Sequence, residues 1–135
     1  MKRVVSTLLL VVMLCSCFSI SSMAATVPTV QPLWVNTNLV SGDIVFDGDY
    51  GYAGLRVVGK TGISHIDAYG VVYQVTDSGL EYITESSKTV TTMSCMLEIE
   101  FPADPNCEYQ ADFTFVVYKD GVGETIERTF TEVNS

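Results

Sequence analysis

Positive charge is scarce in this chain. Against 16 Asp and Glu it carries only 7 Lys and Arg, a formal net charge of −9. Contact with a nucleic-acid backbone needs clustered Lys and Arg to displace counterions from phosphates, so no nucleic-acid partner is expected. Anionic membrane surfaces are disfavoured for the same reason. Histidine is represented once, at His65, and tryptophan once, at Trp34. A single imidazole leaves little material for acid–base or zinc chemistry. The one long apolar run, Val4 to Leu14, is too short to cross a bilayer comfortably, and Cys15, Ser16 and Cys17 interrupt it; no transmembrane anchor is expected. Helical periodicity is missing as well: after residue 33, apolar residues never recur every three to four positions for more than two turns. Intrinsic disorder is excluded by what remains, since 47% hydrophobic residues with 17% charged can bury a core.

The N-terminus has the order of an export signal. Lys2 and Arg3 precede the apolar run, and Ser22-Met23-Ala24 supplies a small-x-small cleavage site, so residues 1–24 read as a signal peptide. A second reading uses Leu14-Cys15-Ser16-Cys17 as a lipoprotein box, with Cys17 as the lipid-bearing first residue. The two differ in outcome: a released, secreted protein, or one lipid-anchored to the membrane through Cys17. Residues 25–33, with Pro28 and Pro32, read as an extended linker. The length leaves room for one domain, residues 34–133. Loss of Lys2 and Arg3 makes the mature chain more acidic still, a surface that keeps a protein dispersed and, by expectation, monomeric.

Alternation governs that domain. Met93, Cys95, Leu97, Ile99 and Phe101 face one side against Ser94, Met96, Glu98 and Glu100. Tyr109, Ala111, Phe113, Phe115 and Val117 form a second inward row. The strands are predicted at 34–40, 43–47, 52–58, 66–75, 80–85, 88–101, 108–119 and 124–132, separated by turns rich in Asp, Gly and Ser. Asp120-Gly121 between two alternating runs is a hairpin signal. About seven to eight short antiparallel strands predict an all-β, two-sheet sandwich, immunoglobulin-like or fibronectin-III-like. Phe101-Pro102, then Asp104-Pro105-Asn106, then Tyr109 predicts a tyrosine corner, in which the hydroxyl reaches back to the preceding backbone.

The series Leu33-Trp34-Val35-Asn36-Thr37-Asn38, Asp43 to Phe46, Val57 to Gly62, Tyr109 and Val117 to Gly121 with Glu124 resembles a group of small exported proteins from Gram-positive, clostridial-class gut bacteria. The resemblance covers nearly all of the mature chain. It implies an immunoglobulin-like or fibronectin-III-like fold and an exported location, and it brings no catalytic residues.

Few residues invite chemistry. Ser64 and His65 are neighbours, which on a strand would point them to opposite sides and keep them from acting as nucleophile and base. Cys95 and Cys107 are the two cysteines left after export; a disulfide between them and a pair of free thiols both stand open, the distance along the strand counting against the bridge. Asp43, Asp47 and Asp49 with Gly48 and Gly51 are a candidate calcium loop, although turn chemistry alone accounts for Asp and Gly there. Glu98 and Glu100 share one outward row and read as a solvated face.

The strand 66–75 is apolar on both sides. Ile66, Ala68, Gly70 and Val72 are expected inward, where small residues let the sheets approach, leaving Tyr69 and Tyr73 outside. An exposed tyrosine row is a recognition surface; the alternative is cross-strand packing that covers the sheet. Together these features predict an exported, non-enzymatic binding module without cofactor, acting on an extracellular protein or glycan. A secreted effector is the alternative, lacking the cationic amphipathic segment such factors use. An enzyme would need acids gathered in a pocket around His65.

Overall fold

The computed structural model describes residues 33–135; the expected signal peptide, Cys17 and the expected linker up to Pro32 lie outside them. Seven strands follow one another: β1 (Thr37–Asp47), β2 (Tyr50–Gly59), β3 (His65–Thr76), β4 (Gly79–Val90), β5 (Ser94–Pro102), β6 (Glu108–Lys119) and β7 (Val122–Val133). They form a three-stranded sheet in the order β1-β2-β5 and a four-stranded sheet in the order β4-β3-β6-β7, with antiparallel pairing throughout. In immunoglobulin constant domains the fourth strand joins the sheet of the first, second and fifth. Here it pairs with β3 instead, so the fibronectin-III-like arrangement is the one adopted.

Local chemistry sets the hairpins. Asp120 (φ 51°) and Gly121 (φ 78°) both lie in the left-handed region, the primed turn that suits the twist of flanking strands.

Two expected boundaries moved. The stretches 34–40 and 43–47 are not separate strands, because β1 runs unbroken through Ser41 and Gly42. Gly42 marks a close approach rather than a turn: a Cβ there would lie 2.3 Å from the Gly54 carbonyl oxygen. The stretch 88–101 is two strands, since the chain leaves β3 at Val90, bends at Thr91 to Met93 and pairs with β2 from Ser94. The Gly59 N–H donates to the Met93 carbonyl and fixes the crossing.

The expected inward rows of β5 and β6 meet between the sheets. Cys95, Leu97, Ile99 and Phe101 pack against Tyr109, Ala111, Phe113, Phe115 and Val117. The tyrosine corner forms: the Asp104 N–H donates to the Tyr109 hydroxyl at 2.7 Å. Burial pushes the Tyr109 phenol above its ordinary value, and the hydrogen bond from Asp104 opposes that shift.

Polar side chains pin both ends of the sandwich. At one end the half-buried Glu124 carboxylate accepts from the Val35 and Asn36 N–H groups and the Thr37 hydroxyl, while the Asn36 amide donates to the Val117 and Val122 carbonyls. At the other end the Asn134 amide donates to the Gly48 and Ala103 carbonyls. Glu124→Ala strands three donors, of which Asn36 and Thr37 belong to buried residues. The expected loss is about 1–3 kcal/mol in denaturant unfolding, with faster amide exchange at Val35 and Asn36.

Candidate functional site

The pleat of the four-stranded sheet sends every second residue of β3 away from the core. Ile66, Ala68 and Val72 are buried against the other sheet, and the phenyl ring of Phe113 lies over Gly70. Tyr69 and Tyr73 lie on the outer face. Val71 shares that face yet is only 6% exposed, because its neighbours close over it. Tyr69 remains 42% exposed and reaches diagonally to β4, donating its hydroxyl to Glu85 at 2.8 Å. That hydrogen bond holds the phenol proton and raises its pKa, with smaller contributions from desolvation and the Glu85 charge.

A third ring joins the row. Tyr82 on β4 stands directly opposite Tyr73 and is 57% exposed. Strict alternation would send residues 82 and 85 to opposite sides, but the register slips between Val72 and Tyr73 and leaves Ile83 unpaired. Both Tyr82 and Glu85 therefore face outward. Beside Tyr69 an open depression of about 430 Å³ is lined by Asp67, Ser87, Lys88, Thr89, Thr114 and Val116. Hydroxyls hold the carboxylates here: Thr89 donates to Asp67 and Thr129 to Asp112, each at 2.7 Å, and the Gln110 amide also donates to Asp112.

The other candidates do not assemble. Asp43 and Asp47 lie four residues apart on β1, about 13 Å by strand rise, with Asp49 in the turn beyond. Among the described residues, no group of three or more His, Cys, Asp or Glu is placed to hold a metal ion. Cys95 and Cys107 are free thiols. Cys95 opens β5 opposite Val57, whereas Cys107 sits past the far end of that strand beside Asn134, about 20 Å along, so the disulfide expectation fails on distance. Burial pushes the Cys95 thiol up, and the Lys88 charge partly offsets it. Glu98 and Glu100 are exposed on the outer row of β5, and the Glu100 charge is the main cause of a raised Tyr52 pKa.

Ser64 and His65 do meet, contrary to expectation. Ser64 precedes β3, so strand alternation does not govern it, and its Oγ lies 3.0 Å from His65 Nδ1. Ser64 Oγ also lies 3.2 Å from the Tyr118 carbonyl oxygen, so its one proton has two acceptors in reach and the His65 tautomer decides which one it takes. The His65 ring stacks on Tyr118 at 4.3 Å.

No protein-family model and no curated protein matches the chain. Among solved structures it is similar to wild-type OgpA from Akkermansia muciniphila, with a TM-score of 0.40 and 15% identity over 78% of this chain and 30% of that one. It is also similar to the Parabacteroides merdae β-glucuronidase, with a TM-score of 0.39 and 17% identity over 70% of this chain and 13% of that one. A protein from Archaeoglobus fulgidus gives a TM-score of 0.32 and 12% identity over 73% and 98% of the two chains. The chain thus spans less than a third of the length of OgpA or of the β-glucuronidase. No helix among the described residues is long and apolar enough to cross a membrane.

Tyr82, Asp67, Thr89 and Thr114 escaped the sequence reading. Their signal was present only as alternation within single strands. Their convergence depends on which strands pair and on the slip opposite Tyr73.

Proposed function

We propose that this protein is an exported, non-enzymatic binding module that holds an extracellular protein or glycan on the outer face of its four-stranded sheet. The observation that carries this reading is the row of Tyr69, Tyr73 and Tyr82 on one face, beside an open depression walled by hydroxyls and a carboxylate. Rings with an apolar body and a polar tip give contact area at low entropic cost, while the fixed hydroxyls and carboxylates provide directional partners. Export rests on residues 1–24, with lipid attachment at Cys17 as the variant that would keep the module at the cell surface. Cofactors have no part in it.

The test is a screen of glycans and bacterial surface proteins with the wild type and with Tyr69→Ala/Tyr73→Ala. The double variant is expected to weaken every hit at least about tenfold, close to 1.4 kcal/mol. Undiminished binding by the double variant would place the ligand elsewhere.

A further inference from the structure

We propose that the outer face of the four-stranded sheet docks a basic, extended peptide segment of a partner protein. Its Arg or Lys heads would pair with Asp67, Glu85 and Asp112, and its aliphatic stems would lie on Tyr73 and Tyr82. This deepens the binding-module reading and rests on it.

Charge is the first ground. The register places Asp67, Glu85, Glu108, Asp112 and Glu127 on this face and the Lys and Arg of the four strands on the opposite parity, with Lys88 alone bordering the depression beside Tyr69. Two of the three cations of those strands are committed elsewhere, since Arg128 lies over the Trp34 ring at 5.1 Å and Lys88 donates to the Met96 carbonyl on the other sheet, while Lys119 stands at the very end of β6. The face of the opposite sheet differs, since Arg56 stands on it one row beyond Asp43 and Glu98. The chain therefore leaves one face with uncompensated negative charge, which attracts a cationic partner and orients its approach.

Preorganisation is the second. Asp67, Glu85 and Asp112 are held by uncharged donors from Thr89, Tyr69 and Thr129. Each carboxylate is fixed in direction while keeping its full charge and spare acceptor capacity for a guanidinium or ammonium. Glu85 and Asp112 flank Val71 in one row, two strand spacings or about 10 Å apart, which suits basic side chains on an extended chain. The half-buried Tyr73 and exposed Tyr82 rings add faces on which a guanidinium or a lysine stem can rest. A second copy of this chain is a poor occupant, because at a net charge of −9 it would bring like charge to like.

The probe is a fluorescein-labelled decapeptide alternating arginine and serine, with a glutamine–serine decapeptide as neutral control. Binding is read by fluorescence anisotropy on the full mature chain at 50 and 300 mM salt. The basic peptide is expected to bind, to weaken at least about tenfold at the higher salt, and to outcompete the neutral one. Asp67→Asn/Glu85→Gln/Asp112→Asn, whose amide oxygens can still accept from the three hydroxyls, is expected to weaken it at least about tenfold. Asp43→Asn/Glu98→Gln/Glu100→Gln on the other sheet is expected to stay within about twofold. Equal losses in both triple variants, or no binding by the wild type, would overturn the proposal. A neutral oligosaccharide array separates the two readings. Glycan binding lost in Tyr69→Ala/Tyr73→Ala, with the basic peptide ignored, overturns the ligand class and leaves the binding face standing. If neither probe depends on this face, both readings fall.

Discussion

Phe113→Ala is expected to lower the unfolding free energy by about 3–5 kcal/mol, a large share of the 5–15 kcal/mol that holds a typical domain together. Phe113 is about 1% exposed and sits in the middle of the inward row of β6. Its ring meets Phe115 and Phe130 edge-on, with centroids 6.4 and 6.2 Å away, and covers Gly70 on β3. Truncation removes its apolar area from the core and leaves a void that two paired sheets cannot close, because closing it would shear β3 against β6. Guanidinium denaturation of the mature chain measures the change. A loss under about 1 kcal/mol would mean that the sheets are not packed as described.

Gly70→Val attacks the same contact from the other side. A Cβ at Gly70 would stand 2.7 Å from two Phe113 ring carbons and 2.9 Å from Ile99 Cδ1. Neither neighbour has free space behind it, so overpacking is expected to destabilise by about 1–3 kcal/mol or more. Because one substitution empties the volume that the other overfills, the two should not add. Gly70→Val/Phe113→Ala is expected to be more stable than the sum of the single losses predicts, with a coupling of about 0.5–3 kcal/mol. Strict additivity would show that the ring does not rest on Gly70.

The same contact explains how much of the fold could be read without coordinates. Inward and outward rows of β3, β5 and β6 followed from alternation, because each is buried on one face or graded in polarity between faces. Small Ala68 and Gly70 on the inward row correctly marked where the sheets come close. The crossing from β4 to β5 was harder to see. Its only trace is a change of phase, even-numbered residues facing the core before Thr91 and odd-numbered ones after Met93, and polar Lys88 and Thr91 blur that shift. Gly42 misled in the opposite direction, since a glycine needed for close approach has the same letter as one needed for a turn.

The surface was legible only in part. Tyr69 and Tyr73 could be set outside by parity on one strand. Tyr82 could not be added to them, because the bulge at Ile83 reverses parity within β4, and a bulge is decided by the partner strand. Asn36, Glu124 and Asn134 were equally silent, their partners lying as far as 89 residues away in sequence. Hydrogen bonds of that kind are long-range consequences of topology and leave no local pattern.

The grips of Glu124 and Asn134 also fix how the domain would carry a load. β1 and β7 start at the same end, where Glu124 holds Thr37, and finish at the other, where Asn134 holds Gly48. The polypeptide therefore enters at one pole and leaves at the opposite one. Tension between those poles would pull β1 and β7 lengthwise in opposing senses. Backbone hydrogen bonds stand across the strands, so the ten register pairs of β1 with β2 would be strained side by side in shear instead of peeling open one by one. The outer face of the four-stranded sheet, mounted on such a frame, would keep its shape under that tension.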